Sequence, residues 1–375
     1  MQFDQLIDRS STYAYKWEKY KGQDVIPLWI ADTEFKCAQP IIDAVAKRTE
    51  HGLMGYTLPA HHQGAIDAVI NWLDRQYGWK IEQEWLVWTP GVVPAFNTAI
   101  AAYCEPGDKV IVQSPNYPPL LAAPGINKMQ RVTIPTLEQD GRWMLDMAEL
   151  EKQAADPACK LFILCNPMNP VGTVLNEQEL STIADICEKH NVLLCSDEIH
   201  CDLILDEEAT HIPAGKLPGL ESRSITLMAA SKTFNVAGLG TSFAIIPDAK
   251  LRQQFNLAAR GIVPWVNIMG LEATQAAFTL CDDWHQAQLA YLRDNRDYLY
   301  NQINQINGLR MLKPQATFLA WVDARELNVP SPQKWAEDKG VGPSPGADFA
   351  EPQFFRLNFG CPRTYLEQAI ERLKA

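Results

Sequence analysis

An amide, a carboxylate and an amine stand in this chain at three places where short apolar runs end. The amide comes in Asn166-Pro167-Met168-Asn169-Pro170-Val171-Gly172, directly after Leu161-Phe162-Ile163-Leu164-Cys165. The carboxylate comes in Asp197-Glu198-Ile199-His200, after the run 192–196, and the amine in Ser231-Lys232-Thr233-Phe234-Asn235, after 224–230. Singly, each has an ordinary explanation: Asn-Pro pairs make turns, an aspartate after a strand caps a helix, and a lone lysine is solvated. Parallel α/β sheets, however, bind ligands at the carboxyl ends of their strands. Three such ends would bring all three groups to one edge. Asp197, His200 and Asp202 lie close enough in sequence to suggest metal ligation. No further His/Cys cluster supplies the remaining ligands at a recognisable spacing, so no metal is expected.

The elements that must position these groups can be read from hydrophobic period. Pro40 opens a helix to about residue 51, and 62–77 places Ile66, Val69, Ile70 and Leu73 on one helical face. Pro90-Gly91 breaks the chain before a helix carrying Val93, Phe96 and Ile100 in phase. Runs 109–113, 160–165, 192–196, 224–229 and 242–246 are apolar nearly throughout, as in strands buried on both faces. Between them lies a helix at 176–190 whose Asn176 and Glu179 have capping-box spacing. This alternation is α/β, doubly wound logic. The last hundred or so residues differ: a long helix over 274–307, strands at 318–322 and 354–357, and a final helix opened by Pro362. They read as a separate α+β unit.

The chain has 375 residues, 47% hydrophobic, enough for one or two domains, and a formal charge of −12 without any basic block. Nucleic acid and anionic membranes are therefore not expected partners. Residues 1–22 lack the apolar core of a signal peptide, and no later run suits a membrane span. Nine cysteines without a C-x-x-C pair, several inside apolar runs, read as buried thiols of a cytoplasmic protein.

Taken together, Asn169, Asp197 and Lys232 in this order and context resemble the fold-type I pyridoxal 5'-phosphate (PLP) enzymes, the class I/II aminotransferase superfamily. The likeness runs from Pro27 to the region of Arg356. Asp197-Glu198-Ile199-His200, Ser231-Lys232-Thr233-Phe234-Asn235 and Arg356-Leu357-Asn358-Phe359-Gly360-Cys361-Pro362 are most similar to its cystathionine β-lyase, or C–S lyase, branch. Pro27-Leu28-Trp29-Ile30-Ala31-Asp32 and Ser344-Pro345-Gly346 fit that branch too. The resemblance implies an α/β large domain with a mostly parallel seven-stranded sheet and a smaller α+β domain. The expected division is an arm at 1–37, a PLP-binding domain at 38–272 and a C-terminal domain at 273–375.

It also implies roles. Lys232 would bond covalently to the cofactor and then serve as the base that removes the substrate's Cα proton. Asp197 would pair with the pyridine nitrogen, Asn169 would donate to the phenolic oxygen, and Tyr117 would stack on the ring. His200 stands where many transaminases carry a tyrosine near that oxygen, and reads as a cofactor-side or a structural histidine. Val92 and Val93, opening a helix, together with Ser231 would hold the phosphate. Relatives carry a serine and an arginine near the lysine where this chain has Ala229 and Gly240. Tyr56 would reach the phosphate of a partner subunit in a homodimer; its alternative is an ordinary core tyrosine. Arg356 would bind the substrate carboxylate, with Ala31 and Asn169 beside the substrate. Thr33 and Glu34 replace the branch's more usual methionine and aspartate.

The implied activity is release of pyruvate, ammonia and a thiol from cystathionine or a cysteine S-conjugate. An aminotransferase would use the same residues. A PLP-binding regulator acting through a partner would need no such set together. A helicase-like NTPase fails for want of a phosphate-binding Gly-rich Lys-Ser/Thr loop.

Overall fold

The structure, a computed structural model, describes residues 2–9 and 11–375. Eight strands form the large sheet: β1 Leu86–Thr89, β2 Lys109–Ser114, β3 Gln130–Gln139, β4 Arg142–Leu145, β5 Cys159–Cys165, β6 Leu193–Asp197, β7 Ser224–Met228 and β8 Ser242–Ile245. Their spatial order is β1-β8-β7-β6-β5-β2-β3-β4. From β3 through β2, β5 and β6 to β7, neighbours run parallel. β8 is antiparallel to both β7 and β1. The expected sheet of seven is thus extended by an eighth strand, β4, which folds back on β3 through Asp140-Gly141, both with positive φ. Five of these strands, β2, β5, β6, β7 and β8, coincide with the expected apolar runs. β3 shows no such run because it is polar, largely exposed and interrupted by Pro135, unlike the buried ones.

Helices cover both faces. Among them are α1 Gln39–His51, α2 Gln63–Tyr77, α3 Val92–Tyr103 and α4 Glu177–His190. α4 has the expected capping box: Asn176 accepts from the Glu179 amide at 2.9 Å, and Glu179 accepts from the Asn176 amide at 2.8 Å. One apolar cluster, with Ile111, Phe162 and Leu194, packs against α4. Another, with Val110, Ile163 and Ile225, packs against α3. Burial on both faces is why these strands read as continuous apolar runs.

The expected helix over 274–307 is two helices, α5 Ile268–Leu280 and α6 Asp282–Ile303. The break falls at Cys281, and Asp282 and Asp283 give α6 the acidic first turn that suits a helix start. A second sheet follows, from β9 Arg310–Met311, β10 Leu319–Asp323, β11 Ser344–Pro345 and β12 Phe354–Asn358, in the order β9-β10-β12-β11. Helix α7, Arg363–Lys374, closes the chain. The irregular N-terminal segment packs Phe3, Ile26, Leu28 and Phe35 into the core of this second sheet, and Ile26–Pro27 pairs in parallel with Val341–Gly342. All nine cysteines are free thiols. Among the described residues no helix is long and apolar enough to cross a membrane.

Candidate active site

β5, β6 and β7 end side by side, and the chain leaving each enters one cleft of about 280 Å³. Asn169, Asp197, His200, Ser231 and Lys232 all line it, with Ala31, Val92, Val93, Tyr117 and Arg356. The three strand ends therefore converge as their sequence suggested. Asp197, the last residue of β6, is buried and accepts the Ile199 amide at 3.2 Å. Burial pushes its carboxyl up to about 7, against the amide bond and the nearby Lys232. Burial likewise brings the Lys232 amine down to about 8, Arg356 adding to the effect and Asp32 and Asp197 opposing it. His200 is held down to about 3, first by burial and then by Lys232 and Arg356, so its imidazole is neutral at pH 7.

Arg356 is also buried, and burial lowers it to about 10. Its NH1 donates to Asn169 Oδ1 at 2.9 Å; its NH2 donates to the Trp29 carbonyl at 2.8 Å and to Ser344 Oγ at 3.3 Å. The Phe349 ring lies 4.6 Å from the guanidinium carbon. Asn169 thus spends its oxygen on Arg356 and keeps its NH₂ as a donor. Two buried nitrogens at the cleft, Arg356 Nε and His200 Nδ1, have no hydrogen-bond partner among the described residues. Buried polar atoms left so are expensive, and mark where a ligand's acceptors belong.

The roof of the cleft is the irregular segment through Ile30 and Ala31. The Ala31 carbonyl accepts from Lys232 Nζ at 2.6 Å. Asn358 Nδ2 donates to the carbonyls of Ile30 and Asp32, at 2.6 Å each. Asn235 accepts from the Thr33 amide at 3.1 Å and donates to the Thr33 and Phe35 carbonyls at 3.0 and 2.8 Å. Asn235, Asn358 and Ser344 lie within the motifs that carry the family resemblance, but their sequence gives them no role of their own. The available signal was an amide within three residues of Lys232 and of Arg356; Ser344 has none.

At the other end, α3 begins at Val92 with no side-chain cap, and Val92 and Val93 carry two of its free amide N–H groups. Ser231, Gly240 and Thr241 line the same end. Gly240 has φ +54, and a Cβ there would stand 3.5 Å from the Pro90 carbonyl. An arginine at this position would have to adopt left-handed backbone, at a cost of roughly 1–2 kcal/mol. Ala229 is buried.

Two residues singled out from sequence lie elsewhere. Tyr56 is 101% exposed, on an open apolar groove of about 760 Å³ with Trp265, whose ring centroid is 6.4 Å away. It is not a core tyrosine, and it does not line this chain's own cleft. Asp202 accepts from Trp72 Nε1 at 3.0 Å and from the Tyr77 hydroxyl, and its carbonyl bonds His285 at 2.6 Å. Its carboxylate is thus spent on structure behind the cleft.

Comparison with known proteins places this geometry. The family model for aminotransferase class I and II matches residues 23–373, so the chain belongs to that family. Cystathionine beta-lyase PatB of Bacillus subtilis (strain 168) is 35% identical over 387 aligned residues, covering 100% of this chain and 99% of that protein. The crystal structure of OvoB superposes with a TM-score of 0.96 at 42% identity, covering 99% of this chain and 98% of that one. The PLP-bound C-S lyase from Staphylococcus hominis gives 0.93 at 31% identity, covering 100% and 97%.

The cofactor of the family is pyridoxal 5'-phosphate, and the cleft fits it. A buried carboxylate raised to about 7 lacks the cation that a protonated ring nitrogen supplies. A lysine lowered to about 8 is a ready nucleophile for an aldehyde. The free amides at the start of α3 suit a phosphate.

Proposed function

We propose that this protein is a PLP-dependent carbon–sulfur β-lyase that converts cystathionine or a cysteine S-conjugate to pyruvate, ammonia and a thiol. The observation that carries it is the meeting of Lys232, Asp197 and the Asn169–Arg356 pair in one cleft of a C–S lyase-like chain. The kinship with PatB and with the Staphylococcus C-S lyase supports cleavage at sulfur rather than amino transfer.

In this reading Lys232 would hold the cofactor covalently, Asp197 would pair with its ring nitrogen, Asn169 would donate to its phenolic oxygen, and Tyr117 would wall the ring. The Val92 and Val93 amides with Ser231 would hold the phosphate. His200, neutral, sits on the cofactor side as donor or acceptor without adding charge. The bound cofactor supplies the sink for the electron pair left when the α-proton departs. Lys232 would take that proton at Nζ. Arg356 holds the substrate carboxylate with donors not already given to Asn169, Trp29 and Ser344, and so orients the Cα–H toward the amine. The thiolate leaves Cβ with its bonding pair and is protonated; the aminoacrylate set free hydrolyses to pyruvate and ammonia.

Tyr56, Trp265 and Ile262, the last 82% exposed, put large apolar side chains on one open groove. That exposure supports a homodimer in which a second copy would cover the groove and Tyr56 would serve the partner's phosphate site. The division at 37/38 and, within α5, at 272/273 belongs to the same proposal.

The test is a panel of L-cystathionine and S-substituted cysteines with purified holoenzyme, followed for pyruvate and free thiol. Equal yields of both are expected. Keto-acid-dependent amino transfer without thiol release would replace the lyase by an aminotransferase.

A further inference from the structure

The N-terminal segment carries a buried charge that the proposed chemistry does not use. Lys16, 1% exposed, forms ion pairs with Asp32 at 2.8 Å and Glu34 at 3.0 Å, and donates to the Asp32 carbonyl at 2.7 Å. Glu34 in turn accepts from Arg9 and from Trp17 Nε1, both at 3.1 Å. A buried ammonium left without such partners would be costly, so Lys16 is tied to these carboxylates. It adjoins, on the Asp32 side, the Ala31 residue whose carbonyl accepts from Lys232. On either side of Ala31, the Ile30 carbonyl is held by Asn358, and the Asp32 carbonyl by Asn358 and Lys16.

We propose that Lys16 is a positioning residue for the reaction: by clamping Asp32 it fixes the Ala31 carbonyl as the acceptor that parks the Lys232 amine after substrate displaces it. This rests on Lys232 being the base. Held by one N–H on the Ala31 oxygen, the amine presents its lone pair to the substrate. As the Cα–H bond breaks and a new N–H bond forms, the ammonium keeps the same acceptor, now in a stronger charge-assisted bond. The proton then passes to the departing thiolate, and the amine returns to its neutral state. Lys16 touches neither substrate nor cofactor in this scheme.

The charges around Lys232 are Asp32, Arg356, Asp197 and Lys16, the first and third raising its pKa and the others lowering it. Loss of Lys16 therefore moves the Lys232 titration upward, both by removing a cation and by freeing Asp32.

The test compares Lys16→Met and Lys16→Arg with the parent enzyme. In the cofactor-free proteins, pH-dependent competitive acylation of Lys232, read by peptide mass, gives its titration midpoint. In the holoenzymes, exchange of the α-proton of bound L-alanine into D₂O gives the proton-transfer rate without any leaving group. Lys16→Met is expected to shift the midpoint upward and slow exchange by about tenfold or more, as for other misplaced acid–base groups, with Lys16→Arg recovering most of both. If Lys16→Met folds poorly, Lys16→Met/Glu34→Gln, which removes one stranded carboxylate, takes its place. A folded variant with lower thermal stability but unchanged midpoint and exchange rate would reduce Lys16 to structure and overturn the proposal. Persistence of exchange in Lys232→Ala would instead overturn the role of Lys232 itself.

Discussion

The floor and the roof of the cleft are built by different means. Asn169, Asp197 and Lys232 follow the ends of three adjacent parallel strands, whose ladders fix them to one another. Ala31 sits in chain with no ladder of its own, stitched by side chains from Asn235, Asn358 and Lys16. The floor gets its precision from backbone hydrogen bonds shared over a whole sheet. The roof has scattered backbone bonds, such as the Glu34 amide to the Gly360 carbonyl, and otherwise depends on a few side-chain amides and one buried cation, each removable by a single substitution. Chemistry is expected to fail when the floor changes, and alignment when the roof does.

The largest separation between the two comes from Lys232→Ala. Turnover of cystathionine is expected to fall by about 10³-fold or more, in the range for loss of a general base, and the yellow absorption of the lysine-bound cofactor to vanish. An unchanged visible spectrum would remove Lys232 from the floor's chemistry.

Asp197→Asn ranks next, with about a 10²-fold loss expected when a buried charge-stabilising group is removed. It also has a pH signature. In cofactor-free protein Asp197 keeps its proton to about pH 7, against an ordinary 3.8. The folded state therefore binds the extra proton between those values and loses stability as pH rises through them. A bound ring cation relieves this cost, so the gap in Tm between holo- and cofactor-free protein should widen from pH 4 to pH 7. Asp197→Asn should flatten that widening; a parallel pH dependence in the variant would show that another group is responsible.

A smaller effect is expected from Asn358→Ala in the roof. It frees the Ile30 carbonyl and leaves the Asp32 carbonyl to Lys16 alone, and each lost bond costs about 1 kcal/mol, read as a lower Tm. KM for the amino acid should rise more than kcat falls, since the roof and Arg356 share Trp29 and the substrate side. A fall in kcat matching that of Asp197→Asn would erase the distinction between floor and roof.

The same difference governs what could be read from sequence. β5, β6 and β7 are buried on both faces, so their residues are apolar throughout, and the polar residues at their ends stand out. The roof residues carry no period. Asn358 lies in β12 and Asn235 holds left-handed backbone with φ +56, far in sequence from the carbonyls they bond. β3 was lost for the related reason that one exposed face masks its pattern. Tyr56 stands out in the sequence only through the family resemblance, and only the structure puts it on an open apolar groove, away from the cleft of its own chain.

Borohydride reduction of the PLP-loaded protein, followed by peptide mapping, tests the central assignment most directly. Reduction fixes the cofactor to whichever amine carries it. The tag is expected on the peptide containing Ser231-Lys232-Thr233, in one copy per chain. A tag on another lysine, or none at all, would contradict the site described at the ends of β5, β6 and β7.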